Sequence, residues 1–162
     1  MIGNDVIDLA LARKQSNWQR SGFLEKIFTV REQLLIKSST NPELVVWNLW
    51  SRKEAAYKIF NRTTGTRAFI PRELECAYTN ENEGLVICRG NCFFTKTCIE
   101  DDLLYTIAVT KLSHLEAITP ILNKDLIIKI DGIPFVSYPD ATQLHVASVS
   151  NHGRYYKAIT IQ

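Results

Sequence analysis

The chain has 162 residues, 46% hydrophobic and 22% charged, with a net charge of +2. This is the size and mix of one globular domain with a real core, and it excludes a disordered or fibrous chain. So small a charge does not argue for nucleic acid, although it leaves room for a local basic pocket.

Further exclusions come from the order of residues. No segment approaches the roughly 20 apolar residues of a membrane span. Asn4, Asp5 and Asp8 interrupt the N-terminal apolar run, and no basic stretch precedes it, so no signal peptide is read there. The expectation is a single domain over residues 1–162, cytoplasmic, with reduced thiols and with neither membrane nor nucleic acid as partner. Cys76, Cys88, Cys92 and Cys98 lack a Cys-x-x-Cys pair and a nearby His, so they read as ordinary thiols in strands rather than a zinc site.

In chain order, Met1 to Leu9 reads as a short strand and Ala10 to Arg20 as helical. Phe23 to Ser38 is helical and breaks at Thr29, where Thr29 and Glu32 match a capping box. Asn41 caps a helix with Pro42 at its first position, running to Phe60 and ended by the polar stretch Asn61 to Thr66. After Pro71 the character turns to β: Glu73–Thr79, Leu85–Arg89, Cys92–Cys98, Leu103–Lys111, Leu126–Ile130, Ile133–Tyr138, His145–Ser150 and Tyr155–Ile161. Asp131-Gly132 is the clearest hairpin turn, and Lys111–Lys124 is ambiguous, with room for a short helix. Helices first and strands later imply an α+β fold, N-terminal helices packed on a mainly antiparallel β-sheet.

The Asn41–Phe60 helix holds the most informative residues. At about 100° per residue, Val46, Trp47, Leu49, Trp50, Ala56, Ile59 and Phe60 make a broad apolar arc. Lys53 projects from the middle of that arc, Glu54 from between Trp47 and Trp50, and Lys58 from its edge. A buried charge is costly unless it is paired or binds something charged. The three therefore form either an internal network or part of a site.

Four segments, in this order, resemble the 4′-phosphopantetheinyl transferase superfamily: Ile2-Gly3-Asn4-Asp5-Val6-Ile7-Asp8-Leu9, Phe23–Thr29 with Glu32, Trp50-x-x-Lys53-Glu54-Ala55-x-x-Lys58, and Ser148-Val149-Ser150-Asn151-His152-Gly153-Arg154-Tyr155. Asp131-Gly132-Ile133-Pro134 is similar to the Gly-x-Pro turn of small members. The resemblance implies transfer of the phosphopantetheine arm of coenzyme A to a serine of an apo carrier protein, with Mg²⁺ as cofactor. It implies Asp5 and Glu54 as metal carboxylates, with Glu54 and Lys58 as the catalytic pair. Lys58 and Lys53 would meet phosphate, and Ser150, Asn151, His152 and Arg154 would line the coenzyme A site. The serine proton passes to Glu54 or to a metal-bound water, a choice left open.

Ile7, two positions after Asp5, sides with the small homotrimeric holo-acyl-carrier-protein synthase type, which implies a homo-oligomer, a trimer if the likeness extends to assembly. The longer stretch from Tyr78 to Leu126 reads as extra sheet or as a replacement for a subunit contact. Arg13, Lys14 and Arg20 are candidates to receive an acidic carrier. Asn151 falls on the family's His position, with His152 one place later. This departure motivates the alternative of a catalytically impaired member that binds coenzyme A or a carrier without efficient transfer.

Overall fold

The computed structural model describes residues 1–139 and 142–161. Strand β1 (Ile2–Asp8) leads into α1 (Leu9–Gln15), then α2 (Phe23–Ile27), α3 (Val30–Ser38) and α4 (Pro42–Thr64). The starts of α1, α3 and α4 each have a local cause. Asp8 caps α1 by accepting from Leu11 N–H, and Thr29 and Glu32 close a reciprocal capping box on α3. Asn41 accepts from Leu44 N–H at the start of α4, and Gly65, at φ 69°, ends it in the left-handed conformation that glycine tolerates. Helix α4 thus extends past Phe60, while α1 stops before Arg20.

Two antiparallel five-stranded sheets follow. The first is ordered β1-β5-β4-β3-β2, with β2 (Glu75–Tyr78), β3 (Glu83–Cys88), β4 (Asn91–Glu100) and β5 (Leu103–Val109). The second is ordered β6-β10-β9-β8-β7, with β6 (Ile118–Pro120), β7 (Ile127–Ile130), β8 (Ile133–Val136), β9 (His145–His152) and β10 (Tyr155–Ile161). The ambiguous stretch contains a 3₁₀ turn at Leu112–Leu115 and the short strand β6. The main core lies between α4 and the first sheet, built from Ile7, Val46, Leu49, Ala56, Ile59, Phe60, Val86 and Leu104. Gly3 lets α4 approach closely, since a methyl there would run into the carbonyl oxygen of Ala55.

The two sheets meet along one edge of β1. Its N–H groups at Asn4, Val6 and Asp8 donate not to a strand but to side chains of β9: Ser148 Oγ at 3.0 Å, Ser150 Oγ at 3.2 Å and His152 Nδ1 at 2.9 Å. The constant sequence offset makes β1 and β9 parallel neighbours. Helix α4 supplies the donors for the carbonyls of both strands. Lys58 reaches Asn4 O and Val149 O, and Arg62, one turn on, reaches Ile2 O and Ala147 O. Four helical residues rise about 6 Å, close to the two-residue repeat of a strand, so one helix face matches both edges.

Candidate active site

Asp5, Glu54, Lys58, Ser150 and Asn151 come together where α4 crosses this seam. Strand β1 aims Asp5 towards α4. Its Oδ1 accepts from Ser150 Oγ at 3.0 Å and lies 3.8 Å from Lys58 Nζ. Burial raises the Asp5 carboxyl above its ordinary value, against the pull of Lys58 and the Ser150 hydrogen bond. Ser51, one turn before Ala55, adds to that pull, yet its buried hydroxyl makes no hydrogen bond of good geometry among the described residues. Ser51 is thus a polar neighbour of the carboxylate rather than a hydrogen-bond partner.

Glu54 is pushed up to about 7, first by burial and then by the Asp5 charge, with Lys58 opposing. It lines a narrow apolar cleft with Tyr57, Phe69, Ile70, Pro71 and Leu74, which explains the desolvation. The Lys58 ammonium is lowered by its own burial, and Asp5 and Glu54 hold it up. Two of its three protons go to the carbonyls of Asn4 and Val149, leaving the third for a carboxylate or a phosphate.

Beside Lys58 opens a cavity of about 270 Å³. It lies where β8 and β9 diverge: they pair only at Phe135–Val146 and Val136–His145, and Pro134, without an N–H, stands where the ladder stops. Its walls carry Lys58, Arg62 and Lys129, with Tyr57, Asn61 and Asn151, and no carboxylate. Lys58 has Asp5 beside it, while Arg62 and Lys129 make no ion pair among the described residues, and this excess of cations suits a phosphate-bearing ligand. At this size it takes the charged end of a cofactor rather than all of one. A larger cavity, about 620 Å³, lined by Asn41, Leu44, Asn48, Tyr78 and Asn82, holds none of the expected site residues.

The sequence reading is corrected at Lys53. It does not reach this cavity: its ammonium is 1% exposed, 2.8 Å from the fully buried Glu32 carboxylate, and donates to Pro71 O and Leu74 O. All three protons are spent inside the fold. Arg154 also differs from expectation, since it clamps Asp8 through Nε and Nη2 and reaches Asp102 as well. Ser150 orients Asp5 rather than facing the cavity, and His152 bonds the β1 backbone. Of the basic residues near α1, Arg13 is engaged by Glu43 and Asp102.

Arg62, Asn61 and Lys129 were missed. Arg62 follows Lys58 at i+4, a spacing that would have shown it had the helix been carried beyond Phe60. No local signal marks Lys129, which the β7–β8 hairpin carries in.

The two carboxylates pass a simple test for a hard divalent cation. Each is destabilised by burial, and Asp5 raises Glu54 further, so a cation relieves both. Among the described residues no cluster of three or more His, Cys, Asp or Glu could hold an ion by itself. Two carboxylates completed by water and phosphate oxygens are the donor set that Mg²⁺ accepts.

Comparison with known proteins shows the family and the fold. The family model described as the 4′-phosphopantetheinyl transferase superfamily matches residues 1–110, which hold Asp5, Glu54 and Lys58 and stop short of β9. A holo-[acyl-carrier-protein] synthase from Caldanaerobacter subterraneus subsp. tengcongensis is 27% identical over 89 residues, covering 55% of this chain and 68% of that protein. A solved apo-ACPS from Chronobacterium ammoiniagenes superposes with TM-score 0.53 at 14% identity, over 67% of this chain and 93% of that one. The Helicobacter pylori holo-[acyl-carrier-protein] synthase in complex with coenzyme A gives TM-score 0.50 at 15% identity, over 68% of this chain and all of that one (100%). These two structures show the same α+β fold. With its family model spanning β1 through β5 and the Asp5, Glu54 and Lys58 constellation inside the match, the chain belongs to the 4′-phosphopantetheinyl transferase superfamily, as a phosphopantetheinyl transferase.

Proposed function

We propose that this transferase moves the 4′-phosphopantetheine arm of coenzyme A to a serine of an apo acyl or peptidyl carrier protein, with Mg²⁺ held by Asp5 and Glu54. The observation that carries the reading is the union of a two-carboxylate site with an all-cation cavity across Lys58. When bound, Mg²⁺ would supply charge neutralisation on the pyrophosphate. The rest falls to the chain. Lys58 holds phosphate charge next to Asp5, and Arg62 and Lys129 attract the remaining anionic groups into the cavity. The serine oxygen attacks the phosphorus bearing the pantetheine arm, and adenosine 3′,5′-bisphosphate leaves. The serine proton would pass to Glu54, through a carboxylate oxygen not given to the metal, or to a nearby water. Positioning and charge stabilisation then provide the catalysis.

The test is conversion of a panel of apo carriers to their holo forms, followed by mass, with coenzyme A and Mg²⁺. No conversion by folded protein would refute the reading. A second reading, a binder with impaired transfer, rests on Asn151 standing at the family's His position. Calorimetric binding of coenzyme A without Mg²⁺-dependent turnover would select it. Among the described residues no helix is long and apolar enough to cross a membrane. A cytoplasmic setting, where coenzyme A and carriers meet, belongs to the same proposal, and assembly as a homo-oligomer is left to size measurement.

A further inference from the structure

The last motif places an Asn and a His on neighbouring positions of one strand, and neighbouring side chains of a strand face opposite ways. Asn151 lines the basic cavity with Lys58, Arg62 and Lys129. Its amide makes no hydrogen bond among the described residues and is free for a ligand. His152 faces the seam, where its Nδ1 accepts the N–H of Asp8. Its proton is therefore on Nε2 in this state.

The His152 contact is one end of a fixed series. At the other end Asn4 and Ser148 are doubly joined, the Asn4 N–H donating to Ser148 Oγ and that hydroxyl donating to Asn4 Oδ1 at 2.8 Å. Between them stands Ser150, which accepts from Val6 N–H and has a single proton, given to Asp5 Oδ1. Asp8 is itself held on every side. Its carboxylate caps α1 at Leu11 N and takes three N–H groups of Arg154, while Gly153 presses so close that a methyl there would collide with Asp8 and Leu11. The turn after β9 is thus clasped to the end of β1, and the clasp fixes the height of Ser150 against Asp5.

Resting on the transferase reading above, we propose that His152 is a positioning residue that sets Asp5 through this clasp, and that Asn151 is the residue of this segment that meets the coenzyme. The family's single histidine position is here divided between two side chains. Removing a partner that orients a metal ligand costs about 10- to 100-fold in activity, so His152→Ala lowers kcat by that factor and leaves KM for coenzyme A near the wild-type value. It also speeds amide exchange at Asp8 and Val6. His152→Asn restores both, because its Oδ1 falls where Nδ1 stood. His152→Gln, whose oxygen lies one bond further out, does not. Asn151→Asp puts a negative charge into the cavity, raises KM for coenzyme A and leaves Asp8 exchange unchanged.

The Asn and Gln variants of His152 keep the comparison among folded proteins of matched melting temperature if the Ala variant is too unstable. A raised KM with unchanged kcat and unchanged Asp8 exchange in the His152 variants would overturn the proposal. So would wild-type KM in Asn151→Asp. If the wild-type protein neither binds coenzyme A nor transfers, the functional reading falls. The clasp is then decided by exchange alone: protection at Asp8 and Val6 lost in His152→Ala and regained in His152→Asn supports it, and protection kept throughout overturns it.

Discussion

Two neighbouring residues of α4, Lys53 and Glu54, sit in similar apolar surroundings and have opposite fates. Lys53 meets Glu32 and two carbonyls and is satisfied. Breaking a buried pair by removing one partner costs about 3–5 kcal/mol, so Lys53→Met should lower unfolding free energy on that scale. The double variant with Glu32→Gln should regain part of it, since no carboxylate is then left unpaired while an amide oxygen still accepts from a backbone N–H that Glu32 serves. Denaturant unfolding measures both, and turnover per folded molecule should stay near wild type. Glu54 behaves the other way. Its charged form is held at a cost in the absence of a cation, so Glu54→Gln should unfold no more easily than wild type. Its turnover should fall about 100-fold or more, as when a group aimed at developing charge is lost. A Glu54→Gln enzyme with normal turnover would remove it from the site.

At the level of elements, α4 gave the clearest signal. Its Lys-Glu-Ala-x-x-Lys spacing and its capping residues are local, and they supply half of the candidate site. What was not legible depended on where elements end or on distant partners. Ending α4 at Phe60 concealed Asn61 and Arg62. Ending β9 at Ser150 concealed the period-two series Ser148, Ser150 and His152, which becomes a ladder only when the strand runs to His152. Glu32 was read as part of a capping box, and it is. That the same carboxylate neutralises Lys53 and accepts from Cys76 N–H is a tertiary fact that helical spacing does not contain. Lys129 is brought in by topology alone. The close packing of α4 on β1 gives its own test. Gly3→Ala forces the Ala55 backbone away, which should destabilise by about 1–3 kcal/mol. It should also lower Mg²⁺-dependent turnover, because it separates the elements carrying Asp5 and Glu54. Normal activity and stability together would show that the contact has slack.

For the whole molecule, the candidate site couples stability to pH and, on the proposed function, to metal. The Glu54 carboxyl rises from 4.5 to about 7 on folding. Between those values the folded chain holds a proton that the unfolded chain has released, so stability falls as pH rises through this window. The fall is at most about 3 kcal/mol, from the shift at 1.36 kcal/mol per pH unit. Asp5, also raised, acts with the same sign. On the proposed function Mg²⁺ would bind the ionised pair and so compete with the proton. Its effect on melting temperature should be small at pH 6 and larger at pH 8, opposite in trend to the metal-free protein. A metal shift independent of pH would argue against Glu54 as a ligand.

The seam has a kinetic consequence as well. The Ser150–Asp5 contact spans 145 positions, while α4 forms from local contacts and β4–β5 is a hairpin. Long-range closures are entropically slow. The two five-stranded sheets can each acquire structure before β9 docks on β1, and docking completes the donor and acceptor set around Asp5. Substitutions at Ser148 or Ser150 should therefore speed unfolding and leave refolding nearly unchanged in a chevron experiment. On that order of events, catalytic competence is the last property the folding chain acquires.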